Sequence, residues 1–323
     1  MFNYAVNKRM NSLTNNIMMI RPVAFSYNEE TAVNNFYQKS LNNFSKYEIN
    51  EKACREFDNF VEKLSLKGVN IIIFDDTINP ITPDSVFPNN WISFHHDAKV
   101  ALYPMYAKNR RYERRKDILD SLINRFDFKI EKVFDYTEYE SKNIFLEGTG
   151  SMVLDRSSML CYASLSSRTS EKIVKKFCAD FSYQPVIFNS YQNVGSNRLE
   201  IYHTNVMMCV ADEFVVICLD SIDCKNDLIK VKSSIEKSNK EIIEITEEQK
   251  HHFAGNMLQV RGGNDKFLVM SSTAYSILTD KQIKQINKFC SIIHSPLNII
   301  EACGGGSARC MMTEIFLPKN ELR

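Results

Sequence analysis

Short apolar runs recur along this chain at a nearly constant spacing, and that recurrence restricts its folds more than any other feature. The runs at 71–75, 131–135, 185–189, 241–245 and 297–301 are each rich in Val, Ile or Phe, as buried strands are, and their starts lie 60, 54, 56 and 56 residues apart. After each of the first four comes a loop and then two strand patterns joined by a tight polar turn. The turns are His96-Asp97, Arg156-Ser157-Ser158, Asp212-Glu213 and Gly263-Asn264-Asp265. A helical pattern follows. In 169–181, Thr169 or Ser170 can cap while Ile173, Val174, Phe177 and Phe181 recur on one face. The stretches 110–126 and 280–290 read similarly, and 226–238 more weakly.

The fifth unit is cut short, because 310–318 supplies one strand before the chain ends. Its partner must come from elsewhere, and the natural candidate is 17–22, followed by the helical stretch 28–66. The pattern therefore predicts an α/β fold in which five strand, hairpin and helix units form a ring closed by pairing the N- and C-terminal strands. The competing reading is an ordinary α/β sandwich whose units merely share a length. Residues 17–323 read as one domain, and residues 1–16 as a loose tail.

With 323 residues, 44% of them apolar, the chain can bury a large core. Its 40 basic and 39 acidic residues leave a charge of +1, which argues against nucleic acid or an anionic membrane and for a small-molecule partner; a homo-oligomer is left open. Nine cysteines without a CxxC pair exclude a disulfide framework or zinc ribbon and point to the cytoplasm. No stretch approaches the ~20 apolar residues of a membrane span. Lys8, Arg9 and the lack of any acid before Glu29 make an organellar leader the alternative at the N-terminus.

The repeat supplies a register. Asn90, Glu147, His203, Asn256 and Cys310 each stand just before a hairpin, 57, 56, 53 and 54 residues apart, and in a ring all five face one hub. A thiol, an imidazole and a carboxylate meeting there form a nucleophilic arrangement: the thiolate attacks, the imidazole moves protons and the carboxylate orients it. No metal or cofactor is required. A lone cysteine is more often a small buried hydrophobe, and the register is what separates Cys310 from its rival Cys303. The pairs His95-His96 and His251-His252 read as turn or surface residues.

At these residues the sequence resembles the guanidine-modifying superfamily of five-bladed α/β propellers, which includes arginine deiminase, dimethylarginine dimethylaminohydrolase and the amidinotransferases. The matching motifs are Asp84-Ser85-Val86-Phe87-Pro88-Asn89-Asn90, Leu146-Glu147-Gly148, Leu165-Ser166-Ser167-Arg168-Thr169, His203-Thr204-Asn205 and Gly304-Gly305-Gly306-Ser307-Ala308-Arg309-Cys310-Met311. The resemblance implies a propeller with pseudo-five-fold symmetry, Cys310 as nucleophile, His203 as general acid and base, and Glu147 beside the histidine. It further implies that Arg168 binds a substrate α-carboxylate, with Arg111 or its neighbour Arg110 as a second clamp, and that Asp84 joins the binding residues.

Where deiminases and methylarginine hydrolases tend to carry acids, Asn89, Asn90 and Asn205 are amides. A buried guanidinium facing only amides lacks a counter-charge, at a cost of several kcal/mol. A neutral ureido group suits them, because an amide both donates and accepts. A subgroup with a similar Phe-Pro-Asn-Asn-Trp signature, here 87–91, uses citrulline, so the expected activity is citrulline ureidase, giving ornithine, ammonia and carbon dioxide. The alternatives are deimination or hydrolysis of arginine or methylarginine, and a non-catalytic propeller that only binds. The segment 78–90, with three prolines, is the candidate lid.

Overall fold

The computed structural model describes residues 12–320. Five three-stranded sheets repeat one pattern, in which an antiparallel pair is extended by a parallel third strand. Four of them run Ile92–Phe94, Lys99–Leu102, Lys132–Asp135; Val153–Asp155, Leu160–Leu165, Gln184–Asn189; Met208–Val210, Phe214–Ile217, Glu241–Glu244; and Leu258–Gly262, Asp265–Ser271, Ser291–Ser295. The fifth is assembled from both ends of the chain. Thr313–Glu314 pairs antiparallel with Asn16–Arg21, which pairs parallel with Asn70–Asp75. A parallel third strand needs a long crossover, and each is made by helix, as in Glu171–Phe181 or Lys46–Ser65.

The helices form because their apolar residues fall on one face. Ile173, Val174, Phe177 and Phe181 are buried in one cluster with Ala163 and Tyr183, where Phe177 alone contributes about 2–3 kcal/mol and its truncation to Ala would cost about 3–5 kcal/mol. Ser45 and Glu48 form a reciprocal cap that starts Lys46–Ser65. Among the described residues no helix is long and apolar enough to cross a membrane.

Four expectations need correction. The run 297–301 is not a strand: Ser291–Ser295 is the third strand, Pro296 follows it, and Asn298–Gly304 is helical. The stretch 28–66 divides into Glu29–Ala32 and Lys46–Ser65 around an irregular segment. Tyr191–Val194 and Asn197–Glu200 form an additional hairpin. The tail expected over 1–16 lies outside the described residues for 1–11, but 12–15 are tied down: Leu13 is buried, Thr14 Oγ1 donates to Ile315 O at 2.9 Å, and Arg261 N–H donates to Thr14 O at 3.0 Å.

The hub register has a structural counterpart. Asn90 ends the turn Pro88–Asn90, Glu147 precedes Gly148–Ser151, His203 precedes Thr204–Val206, and Asn256 and Cys310 stand two and three residues before Leu258–Gly262 and Thr313–Glu314. Each is thus presented at the entry to the first strand of a sheet, and all five are buried.

Candidate active site

Cys310 sits at the end of a tight turn in which its N–H donates to Ser307 O at 3.0 Å. The loop before it passes close to Phe87, since a Cβ on Gly306 would stand 2.9 Å from that ring. Only glycine permits this approach. Two amides reach the sulfur, Asn256 Nδ2 at 3.3 Å and Asn205 Nδ2 at 3.5 Å. The Asn256 amide is oriented because its Oδ1 accepts from Arg309 N–H at 3.1 Å and its Nδ2 also donates to Asn205 O at 3.0 Å. Amide N–H groups are therefore aimed at Sγ, which itself lies 3.7 Å from Asn256 Oδ1.

His203 Nε2 lies 2.8 Å from Glu147 Oε2, whose carboxylate also accepts from Tyr106 N–H at 2.9 Å and stands 3.3 Å from Arg168. Burial alone would raise the Glu147 pKa, but Arg168, the His203 bond and Arg110 override it and hold the carboxyl well below its usual range. Burial pulls His203 down to about 4, with Glu147 opposing and Arg168 and Arg110 reinforcing the shift. The pair is thus a carboxylate and a neutral imidazole. Because the carboxylate only accepts, Nε2 carries the proton and Nδ1 is the free basic nitrogen.

Cys310, His203, Asn90, Asp84 and Arg168 share the wall of one narrow cleft, with Glu147 behind His203. Arg168 is 1% exposed, and its Nε and Nη2 donate to Asn34 Oδ1 at 2.9 Å and Thr31 O at 2.8 Å. Asp84 Oδ2 accepts from Asn28 at 2.8 Å and Thr31 at 3.0 Å, while its Oδ1 has no partner in the structure. Burial raises the Asp84 pKa against the pull of Arg110. A cationic and an anionic group facing one small cavity suit the two charges of an α-amino acid.

Arg111 lies outside this cavity, bonded to Met105 O at 3.1 Å and 3.4 Å from Glu140, and Arg110 occupies the wall instead. The cause is the turn Asn109–Glu113, whose three-residue period sends neighbouring side chains to different sides. Arg110 points inward with its i+3 partner Glu113 at 2.8 Å, and its Nη1 donates to Asn90 Oδ1 at 2.7 Å. Asn89 lies one layer back, accepting from Asn90 Nδ2 at 3.1 Å. Cys303 is wholly buried, and burial pushes its thiol up to about 11. His95, read as a turn or surface residue, is instead buried against Phe181 and hydrogen-bonded to Ser93 at 2.8 Å.

Some site residues carried no assigned role in the sequence. Asn256 had the register alone. Asn28, Thr31, Asn34 and Asn35 cover the site from a stretch read as helix, where no signal marks them. Asn35 Nδ2 donates to Gly304 O at 3.2 Å, so this segment packs on the nucleophile loop. Among the described residues no three His, Cys, Asp or Glu side chains gather as a metal site.

Comparison with known proteins follows the same lines. The model of the family N,N dimethylarginine dimethylhydrolase, eukaryotic, matches residues 21–317. Apo ArgZ, an arginine dihydrolase from the ornithine-ammonia cycle in cyanobacteria, matches with a TM-score of 0.70 at 16% identity over 94% of this chain, which spans 41% of that one. The substrate-bound N-terminal domain of ArgZ gives 0.68 at 16%, covering 94% of this chain and 99% of that domain. A dimethylarginine dimethylaminohydrolase adduct with S-methyl-L-thiocitrulline gives 0.59 at 15%, over 94% and 100%. No curated protein sequence matches. The structural likenesses speak to the fold and the family model to descent: the chain belongs to the N,N-dimethylarginine dimethylhydrolase family, within the amidinotransferase and dimethylarginine dimethylaminohydrolase-like penteins.

Proposed function

We propose that the protein is a cysteine-dependent hydrolase of the ureido or guanidino carbon of a free arginine-like amino acid, with citrulline the substrate its site fits best. The observation that carries this reading is the set of groups at the thiol. Asn205 and Asn256 are its hydrogen-bond partners, Asn90 stands on the same wall, and of the carboxylates nearby only Asp84 keeps an unpartnered oxygen, which this reading gives to the substrate's α-ammonium. Glu147 is taken by His203, Tyr106 and Arg168, and Glu113 by Arg110. A guanidinium at Cys310 would go uncompensated, whereas a ureido oxygen finds amide N–H donors.

In this reading the substrate's α-carboxylate meets Arg168, with Arg110 near, and its α-ammonium meets Asp84 Oδ1. Neutral His203 takes the Cys310 proton at Nδ1, and the thiolate attacks the ureido carbon. The imidazolium returns the proton to the leaving nitrogen, and a C–N bond breaks. Water then attacks the S-carbamoyl carbon with His203 as base, the C–S bond breaks, and carbamate decomposes. Citrulline and one water yield ornithine, ammonia and carbon dioxide. The five sheets close as a five-bladed propeller of one catalytic domain, 17–323, and the enzyme works in the cytoplasm without a cofactor.

A second reading is hydrolysis of arginine itself. It is favoured by the likeness to the arginine dihydrolase ArgZ and by the unpartnered oxygen of Asp84. The experiment is incubation with citrulline, arginine, methylarginines and agmatine separately, measuring ornithine, citrulline and ammonia. Ornithine from citrulline at a higher kcat/KM than any product from arginine supports the first reading. Faster use of arginine replaces it with the second.

A further inference from the structure

Away from Cys310 the structure holds a larger, half-open cavity of about 420 Å³, with Phe36, Tyr37 and Phe253 on its wall beside Glu301. The Glu301 side chain is 5% exposed and accepts from Thr273 Oγ1 at 2.7 Å and Ser307 Oγ at 2.6 Å. Among the described residues it forms no ion pair. Burial raises the Glu301 pKa against its hydroxyl partners, and His252 is the one cationic group that opposes the shift. An entering ammonium would therefore favour the charged carboxylate, and aromatic faces beside it attract organic cations.

None of the positive groups around the cavity forms an ion pair with Glu301 among the described residues. Lys39 is exposed, and burial keeps His251 below the usual histidine range. His252 stands 3.5 Å from Glu248. Lys250, brought down to about 8 by burial, is held by Gln192 Oε1 at 3.1 Å.

Two contact chains lead from this cavity to the nucleophile. Glu301 holds Ser307, whose carbonyl accepts the Cys310 N–H at 3.0 Å. Tyr37 meets Tyr202 edge-on at 6.3 Å, and the Tyr202 hydroxyl donates to Gly305 O at 2.7 Å while its ring lies 5.0 Å from the Arg168 guanidinium.

We propose that this cavity is a second ligand site for a small primary-ammonium compound, an amino acid or a polyamine, with its ammonium on Glu301, and that occupancy steadies the 304–310 loop that sets Cys310. Ligand and loop then share one carboxylate, so binding at one is coupled to order at the other.

The test uses Arg168→Ala, which disables carboxylate binding at the Cys310 site. L-Ornithine, putrescine and its neutral analogue 1,4-butanediol are titrated by calorimetry into this variant and into the same protein carrying Glu301→Gln or, to fill the cavity from its rim, Asn193→Trp. Saturable binding of putrescine or ornithine, none of butanediol, and at least ~10-fold weaker binding in both double variants is the expected result. Putrescine binding assigns the site to amines generally, and ornithine alone assigns it to amino acids. Saturating amine should also slow alkylation of Cys310 by iodoacetamide by at least ~3-fold. No saturable amine binding to Arg168→Ala, affinity unchanged in the double variants, or an unaltered alkylation rate overturns the proposal. Citrulline turnover by the unmodified protein is a separate measurement, so either reading can fail alone.

Discussion

The imidazole of His203 donates from Nε2 to Glu147 Oε2 across 2.8 Å, and Arg168 stands 3.3 Å from the same oxygen. Burial sets His203 at about 4 against its ordinary 6.5. The unfolded chain therefore binds a proton more readily between those values, so stability is full above pH 6.5 and falls as pH drops toward 4. Glu147, held below its ordinary 4.5, adds a loss of the same sign below that pH. The acid limb of kcat/KM should accordingly lie near pH 4. A limb at about 6.5, the unperturbed histidine value, would show that His203 is not in this environment in the free enzyme.

Cys310→Ala should abolish turnover while leaving the thermal transition within a few degrees of the unmodified protein, because no other thiol lines the cavity among the described residues. Cys303→Ala removes a small buried side chain, costing about 1 kcal/mol of stability and less than about twofold in rate. Activity surviving in the first variant and lost in the second would displace Cys310 as nucleophile.

Asn205→Asp and Asn90→Asp should differ in severity although both turn an amide into an acid. At 205 the new carboxylate faces Sγ, 3.5 Å from the present amide nitrogen, where it opposes thiolate formation and repels a ureido oxygen. Citrulline turnover should fall by about 10² or more. At 90 the charge is met by Arg110 Nη1 at 2.7 Å, and the loss should be several-fold smaller. The pair of substitutions should strengthen inhibition by arginine, read as a lower Ki. Full citrulline activity with no gain for arginine would remove the amides as selectors.

Gly150→Ala should damage the site without touching substrate. A Cβ there would stand 2.5 Å from Asn90 Nδ2 and 2.7 Å from His203 Nδ1, so both side chains must shift. Misplacing the base by a fraction of an ångström should lower kcat by about 10² with little change in the melting temperature. Unaltered kcat would mean that the ring has room to move.

The register of Asn90, Glu147, His203 and Asn256 was readable because each precedes a hairpin whose polar turn is visible in the chain, and Cys310 followed from the spacing alone. The run 297–301 misled because five residues with two isoleucines suit a strand or a buried helix equally, and the deciding residue was Pro296 just before them. Arg110 and Arg111 could not be separated without knowing that they lie in a turn of three-residue period. The cover formed by Asn28, Thr31, Asn34 and Asn35 left no trace, because ordinary polar loop residues acquire meaning only from what they touch. The hairpin 191–200 was missed for a related reason: its alternation is weak, and its Gly195 turn reads as loop.

The seam between Thr313–Glu314 and Asn16–Arg21 rests on two pairings, Ile17 with Glu314 and Met18 with Thr313, joining positions 297 residues apart (314 minus 17). Contacts this distant in sequence tend to form late, after local units have settled. Cys310 is three residues from the seam, and its amide partners Asn205 and Asn256 belong to units in between. A chain caught part-way to its native state would therefore carry a thiol without its donors, and refolding should restore helical ellipticity before it restores a reactive nucleophile.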